Sequence, residues 1–328
     1  MRYVVQSPTR IDLAGGTLDC WPIYLFFNHC VTVNLSVSIF TFVDLVSRPD
    51  SEIHLEIQDF DFHKSYKDLG ELLRDGDDRL ALIRQHLQFW QPSKGFHLKT
   101  RSDSPVGGGL GGSSSLCIGL IKAFGQWLGR EADKEEAILW ASNIEAQVLQ
   151  TPTGTQDYFP AFEPGLHTIH YGPWGARDEL IEFPLKDFRE SMFLVYTGKP
   201  HHSGMNNWQV LKAVIDKDSH VRQKLGQLRE VAFELEEVCR AQRWKELPQL
   251  FNAEFEHRVS LSPAFTCPEI ESLREVVLRS GGLAVKICGA GGGGCVLVWT
   301  APENKQQVMQ ECQKEGFQVL NASPVVKV

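Results

Sequence analysis

Five glycines stand around one leucine in Pro105-Val-Gly-Gly-Gly-Leu-Gly-Gly-Ser-Ser-Ser115. Glycine lets the main chain reach positive φ and lets a ligand approach it closely. An alternating run at 95–101 leads into this segment. A helix-spaced apolar stripe (Leu116, Leu120, Ile121, Phe124, Leu128) leads out of it. The glycines therefore end where a helix begins, with free N–H groups and the positive end of the dipole. That is an anion site suited to the phosphates of a nucleotide. Serines at the helix start can cap it, and one can bind Mg²⁺. Three familiar alternatives do not fit. No lysine follows the glycines as a Walker loop requires. The serines lack the downstream glycine of a GxSxG elbow. No early βαβ repeat surrounds the loop, as a dinucleotide fingerprint would need. A second run, Gly289-Ala-Gly-Gly-Gly-Gly294, joins two apolar stretches, with five glycines in six residues. A hairpin needs only one or two. Such density suggests that a chain segment or ligand packs against bare backbone.

With Pro8-Thr-Arg10-Ile-Asp-Leu-Ala-Gly15-Gly16-Thr-Leu-Asp19, these runs resemble, in order, the three motifs of the GHMP kinases (galactokinase, homoserine kinase, mevalonate kinase, phosphomevalonate kinase). The resemblance covers nearly the whole chain, with motifs at 8–19, 105–115, 145–157 and 285–294. It implies that ATP is held by Pro105, Gly107, Gly108, Gly109, Leu110, Gly111, Gly112, Ser113, Ser114 and Ser115. The family commonly has serine where Gly112 stands, which makes Ser113 the implied Mg²⁺ ligand. Arg10 falls where the family has Lys or Arg. Asp19 falls where galactokinase-like members place an acid that binds sugar hydroxyls. Gly16 and Thr17 replace the Glu and His of galactokinases, which argues against galactose. The glycine-rich versions in kinases of heptose 7-phosphate and fucose are closer. In the family the third loop closes on the active site, and Gly291 and Gly292 are the implied contacts to substrate.

Glu145 and Asp157 lie twelve residues apart. The separation is like that between the Mg²⁺-binding Glu and the proposed catalytic Asp of sugar-kinase members. By this resemblance Glu145 joins Ser113 at Mg²⁺, and Asp157 receives or orients the acceptor hydroxyl. Arg10 would steady charge at the transferring phosphoryl group. Tyr196-Thr-Gly198 with His201, His202 and Ser203 resembles a stretch of heptose-phosphate kinases that could contact substrate. The implied activity is ATP- and Mg²⁺-dependent phosphoryl transfer to a sugar or sugar phosphate. D-glycero-D-manno-heptose 7-phosphate is the leading acceptor and a free hexose such as fucose is next. A non-sugar alcohol kinase (mevalonate-like) and a non-catalytic nucleotide- or sugar-binding regulator are the alternatives, with a decarboxylase as a further class.

The elements that must position these residues read as mixed α and β. Strands are expected at 2–5, 31–46, 52–58, 95–101, 166–171, 192–197, 283–288, 295–299 and 317–320. Helices are expected at 79–90, 113–129, 134–149, across 206–258, from Thr266 to Arg279 and at 302–315. Thr266-Cys-Pro-Glu269 reads as a capping box. The charged stretch 222–240 reads as a solvated helix. Trp140, Trp208 and Trp244 are expected in the core. The resemblance implies an α+β fold of two domains. Residues 1–190 would form the ribosomal-protein-like half and 191–328 the ferredoxin-like half, with the active site between them.

The bulk composition fits this class. The chain has 328 residues, net charge −8 and 42% hydrophobic residues. No basic stripe points to nucleic acid. No run of about 18 apolar residues points to a membrane, and no signal peptide is visible. Eight scattered cysteines without a CxxC pair read as buried, reduced thiols of a cytoplasmic protein. The expected assembly is a monomer or homodimer.

Overall fold

The computed structural model describes residues 1–200 and 203–327. Seven strands form the larger sheet: β1 (Arg2–Ala14), β2 (Cys30–Ser47), β3 (Ile53–Ile57), β4 (Phe62–Tyr66), β5 (Phe96–Ser102), β6 (Leu166–Gly172) and β7 (Gly175–Ile181). Their order is β4-β3-β5-β2-β6-β7, with β1 also paired to β2. Among the described residues only the β3–β5 pairing is parallel. The eighteen-residue β2 is the spine. Its residues 30–35 pair with β6 and 41–47 with β5. Residues 30–37 are buried without alternation, because both faces are covered there. From Ser38 on, burial alternates, as on a sheet with one open face.

The smaller sheet has β8 (Met192–Tyr196), β9 (Gly282–Ile287), β10 (Cys295–Thr300) and β11 (Gln318–Leu320), in the order β11-β8-β10-β9. With its helical crossovers this is the β-α-β-β-α-β arrangement of a ferredoxin-like layer.

The helices are α1 (Leu69–Leu73), α2 (Ala81–Trp90), α3 (Gly112–Leu128), α4 (Lys134–Leu149), α5 (Tyr158–Phe162), α6 (Leu185–Ser191), α7 (Ser203–Ile215), α8 (Ser219–Arg240), α9 (Leu247–Leu261), α10 (Pro268–Arg279) and α11 (Lys305–Lys314). Asp133 caps α4 by accepting from Glu136 N, and Asp218 caps α8 through Val221 N. Three apolar cores stack the layers. One lies between the larger sheet and α2–α5. A second joins β1 and β2 (Ile11, Val33) to α8 and α9 (Leu235, Phe251) and to the smaller sheet (Leu194, Leu297). The third lies under α10 and α11.

Several expectations need correction. The charged helix at 222–240 is not simply solvated, because Leu225 and Leu228 are buried in the first core and Val231, Leu235 and Val238 in the second. The cap of α10 is Cys267 with no side-chain bond; Thr266 Oγ1 instead donates to Glu271 Oε1 at 2.6 Å. Trp140 and Trp244 pack against the cores, but Trp208 is 46% exposed. β1 runs to Ala14, well beyond the expected 2–5, so the motif at 8–14 is itself strand. β4 and β7 had no clear sequence signal. His201 and His202 lie outside the described residues, as does the side chain of Ser203.

Candidate active site

A cavity of about 470 Å³ opens between β1, the 103–111 loop, α3, α4 and the turn at 151–157. Its wall includes Pro105, Gly107, Gly108, Gly109, Gly111, Gly112, Ser113 and Ser114. The N-cap of α3 is Gly111, and no side chain caps it. The first-turn N–H groups are thus not taken by a serine, contrary to the capping expectation. Gly111 has φ 71°, and a Cβ there would lie 2.9 Å from Asp157 Oδ2. Glycine is required at this point both for its conformation and for the carboxylate's approach.

Two expected ATP contacts face away from the cavity. Leu110 is buried in the core between the sheets. Ser115 Oγ bonds Thr41 Oγ1 at 2.8 Å and Ser7 O at 3.0 Å, which ties α3 to the sheet. Helical periodicity turns position 115 inward, which the run of serines conceals.

Arg10 is the junction of the site. Its Nη1 donates to Gly109 O at 2.8 Å and to Cys288 O at 2.9 Å. Its Nε donates to Asp157 Oδ1 at 2.7 Å, and Nη2 lies 2.6 Å from the same oxygen. One guanidinium thus joins the first glycine loop, the start of the third motif and the candidate catalytic acid. Burial works against its charge, but Asp157 and Asp12 outweigh this and raise its pKa. Both bonds land on Oδ1, so neither occupies Oδ2 of Asp157, whose side chain is 21% exposed.

Glu145 is buried on α4, with Ser114 Oγ at 2.8 Å and Tyr158 OH at 2.6 Å, both donating to Oε2. Burial pushes its pKa up, and the hydroxyls of Ser113, Tyr158 and Ser114 pull against that. Ser113 is exposed beside it. No group of three or more His, Cys, Asp or Glu among the described residues could hold a metal alone. One carboxylate with neighbouring hydroxyls still suits Mg²⁺, which keeps waters and takes phosphate oxygens for its remaining positions.

At the other end, Gly16, Thr17, Asp19, Gln156, Asn207 and Arg258 line the cavity. Gln156 N donates to Asp19 Oδ2 at 3.1 Å. Thr17 has φ 79°, strained for a β-branched residue, and its hydroxyl donates to Asn207 Oδ1 on α7 at 3.3 Å. Arg258 Nη2 holds Gly16 O at 3.1 Å. Behind it lies a fully buried charge lock. Arg258 bonds Glu254 at 2.6 Å and approaches Asp12 at 3.5 Å, and Lys286 lies 3.3 Å from both acids.

The third glycine loop supports the first. Cys295 N donates to Gly108 O at 2.7 Å. Gly289 and Ala290 reach the cavity wall, where Gly291 and Gly292 were expected. Gly291 instead backs onto Phe265, where a Cβ would lie 2.2 Å from the carbonyl oxygen. Residues that the sequence did not single out include Tyr158, which bonds Glu145, and Asn207 and Arg258 on the cavity wall, together with its apolar residues Ile57, Phe60 and Leu82.

Burial, then Asp157, with Asp12 also contributing, pushes the Asp19 carboxyl up to about 6. Its folded pKa thus exceeds the unfolded 3.8, so the folded state binds the extra proton between these values. The associated stability is present below about pH 4 and lost as pH rises through 6. Asp19→Asn should therefore raise Tm by a few degrees at pH 7.5, from a strain on the order of 2–3 kcal/mol, and change it little at pH 4. Thermal melts at both values check this, and an equal shift at both would sink the assignment.

A model of the GHMP kinases N terminal domain matches residues 79–165, and one of the GHMP kinases C terminal matches 235–317. D-glycero-alpha-D-manno-heptose 7-phosphate kinase of Campylobacter jejuni is 25% identical, over 94% of this chain and 93% of that protein. Two solved structures share the fold. D-glycero-D-manno-heptose 1-phosphate kinase from Bacteroides thetaiotaomicron has TM-score 0.79 at 18% identity, over 100% of this chain and 97% of that one. Lactococcus lactis galactokinase complexed with galactose has TM-score 0.79 at 18% identity, over 98% and 93%.

Proposed function

This chain belongs to the GHMP kinases and is a small-molecule kinase, and on that footing we propose that it transfers the γ-phosphoryl group of ATP, with Mg²⁺, to a hydroxyl of a sugar or sugar phosphate. The observation that carries this reading is the Arg10–Asp157 pair at the rim of the glycine loop. The main chain of 107–112 and the start of α3 receive the phosphates. The apolar wall at Ile57, Phe60 and Leu82 suits a purine ring. Ser113 and Glu145 would hold Mg²⁺, which neutralises charge on the phosphates when bound. Asp157 Oδ2 accepts or orients the proton of the attacking hydroxyl, while Arg10 fixes the carboxylate through Oδ1. Asp19 orients the acceptor.

The sugar reading is supported by the heptose phosphate kinase relative, similar along nearly all of both chains. Residues 1–190 and 191–328 are taken as the two domains. All eight cysteines are free and buried, which suits a cytoplasmic enzyme. No helix among the described residues is long and apolar enough to cross a membrane.

The test is ADP release with Mg·ATP against hexoses, heptoses, their phosphates, mevalonate and homoserine, with the phosphorylated position read by phosphorus NMR. Turnover of a sugar supports the proposal; turnover of mevalonate or homoserine alone overturns it. In the active enzyme, Ser113→Ala should raise the Mg²⁺ concentration needed for half-maximal rate. An unchanged titration, with a shift in Ser114→Ala instead, would move the ligand to Ser114.

A further inference from the structure

The charges at the acceptor end are mostly spoken for. Three carboxylates line it: Asp12, Asp19 and Asp157. The two cations lining it among the described residues, Arg10 and Arg258, already pair with Asp157 and with Glu254 and Asp12; Asp12 also faces the buried Lys286 at 3.3 Å, and Arg79, a further cation on the cavity wall, pairs with Asp77. Thr17, Gln156 and Asn207 supply the neutral polar surface. Two acceptor oxygens are buried without any hydrogen-bond partner: Asp12 Oδ1 and Gln156 Oε1. Both residues are more than nine-tenths buried, so each oxygen lacks the donor that a buried acceptor needs.

We infer, resting on the sugar-kinase reading above, that the acceptor is an uncharged polyol recognised through neighbouring hydroxyls that donate to Asp12, Asp19 and Gln156, and that a phosphate-bearing acceptor is disfavoured at this site. Hydroxyls are donors, and Asp12 Oδ1 and Gln156 Oε1 are acceptors that lack one. A phosphate is an array of acceptor oxygens with negative charge, normally held by Arg or Lys. Here it would meet Asp19, whose charge burial and then Asp157 and Asp12 already disfavour. It would also have to draw Arg10 or Arg258 away from an existing buried partner, leaving a carboxylate exposed to the cost of an unpaired charge. A polyol leaves both pairs intact. This reading departs from the heptose 7-phosphate favoured by the sequence resemblance.

The experiment compares matched acceptors in the ADP-release assay: L-fucose with L-fucose 1-phosphate, D-mannose with its 6-phosphate, and D-glycero-D-manno-heptose with its 7-phosphate. The uncharged member of each accepted pair should show kcat/KM at least about tenfold higher. Asp19→Asn should narrow that ratio. Thr153→Lys, on the cavity wall beside the Gly154 that abuts Asp19, should shift it toward the phosphorylated member while the protein melts as wild type. Equal or greater kcat/KM for the phosphorylated members, or ratios unmoved in both variants, overturns the inference and leaves the sugar-kinase reading standing. Silence on every sugar, with turnover of mevalonate or homoserine, overturns the two together.

Discussion

Asp157→Asn is expected to keep ATP binding and to lower kcat by at least about 10²-fold. Asparagine preserves shape and can still accept from Arg10 through its carbonyl oxygen. It cannot take a proton, and it places an amide where Oδ2 faces the glycine loop. Its nitrogen would sit near the virtual Cβ position of Gly111, 2.9 Å from the present oxygen, so the loop need not move. Calorimetric titration with an ATP analogue and steady-state kinetics separate the two effects. Near-normal turnover would remove Asp157 from the proton-handling role and leave transfer to positioning and electrostatics alone.

Arg10→Ala should cost more, about 10³-fold in kcat/KM together with a lower Tm. One side chain is bonded to Gly109 O, Cys288 O and Asp157. Removing one partner of a buried pair costs about 3–5 kcal/mol, so loss of activity alone would not separate catalysis from folding. Arg10→Lys makes that separation. It keeps the charge but offers a single ammonium where a planar fork now serves three acceptors. The Lys variant should melt close to wild type, bind nucleotide and turn over about 10²-fold more slowly. Wild-type turnover in Arg10→Lys would reduce Arg10 to a source of local positive charge.

The site was legible in the sequence where the chemistry is local. A glycine loop between an alternating strand and a helical stripe needs no tertiary information. The helix expected at 134–149 is α4, and it carries Glu145. What stayed hidden depends on three-dimensional packing. Arg258 sits among mixed charges on α9, like any solvated helix face, yet the lock with Asp12, Glu254 and Lys286 buries it fully. Ser113, Ser114 and Ser115 look equivalent in one dimension; the helix turns one to the cavity edge, one to Glu145 and one to the sheet. Gly289 and Gly291 likewise belong to one run, and only the approach of Phe265 separates their roles. Asn207 reaches Thr17 from a helix nearly two hundred residues downstream, and nothing near it marks it as a site residue.

The four-charge lock bears on how the enzyme cycles. Asp12 belongs to β1, Glu254 and Arg258 to α9, and Lys286 to β9. Swinging one half of the molecule away from the other about a hinge would part these ions in a water-free interior. Their mutual attraction is little screened in that interior, so the lock favours the closed arrangement. The lock thus ties β1 to α9 and β9, and the lighter contact lies at the rim, where Thr17 meets Asn207 through one hydrogen bond of 3.3 Å.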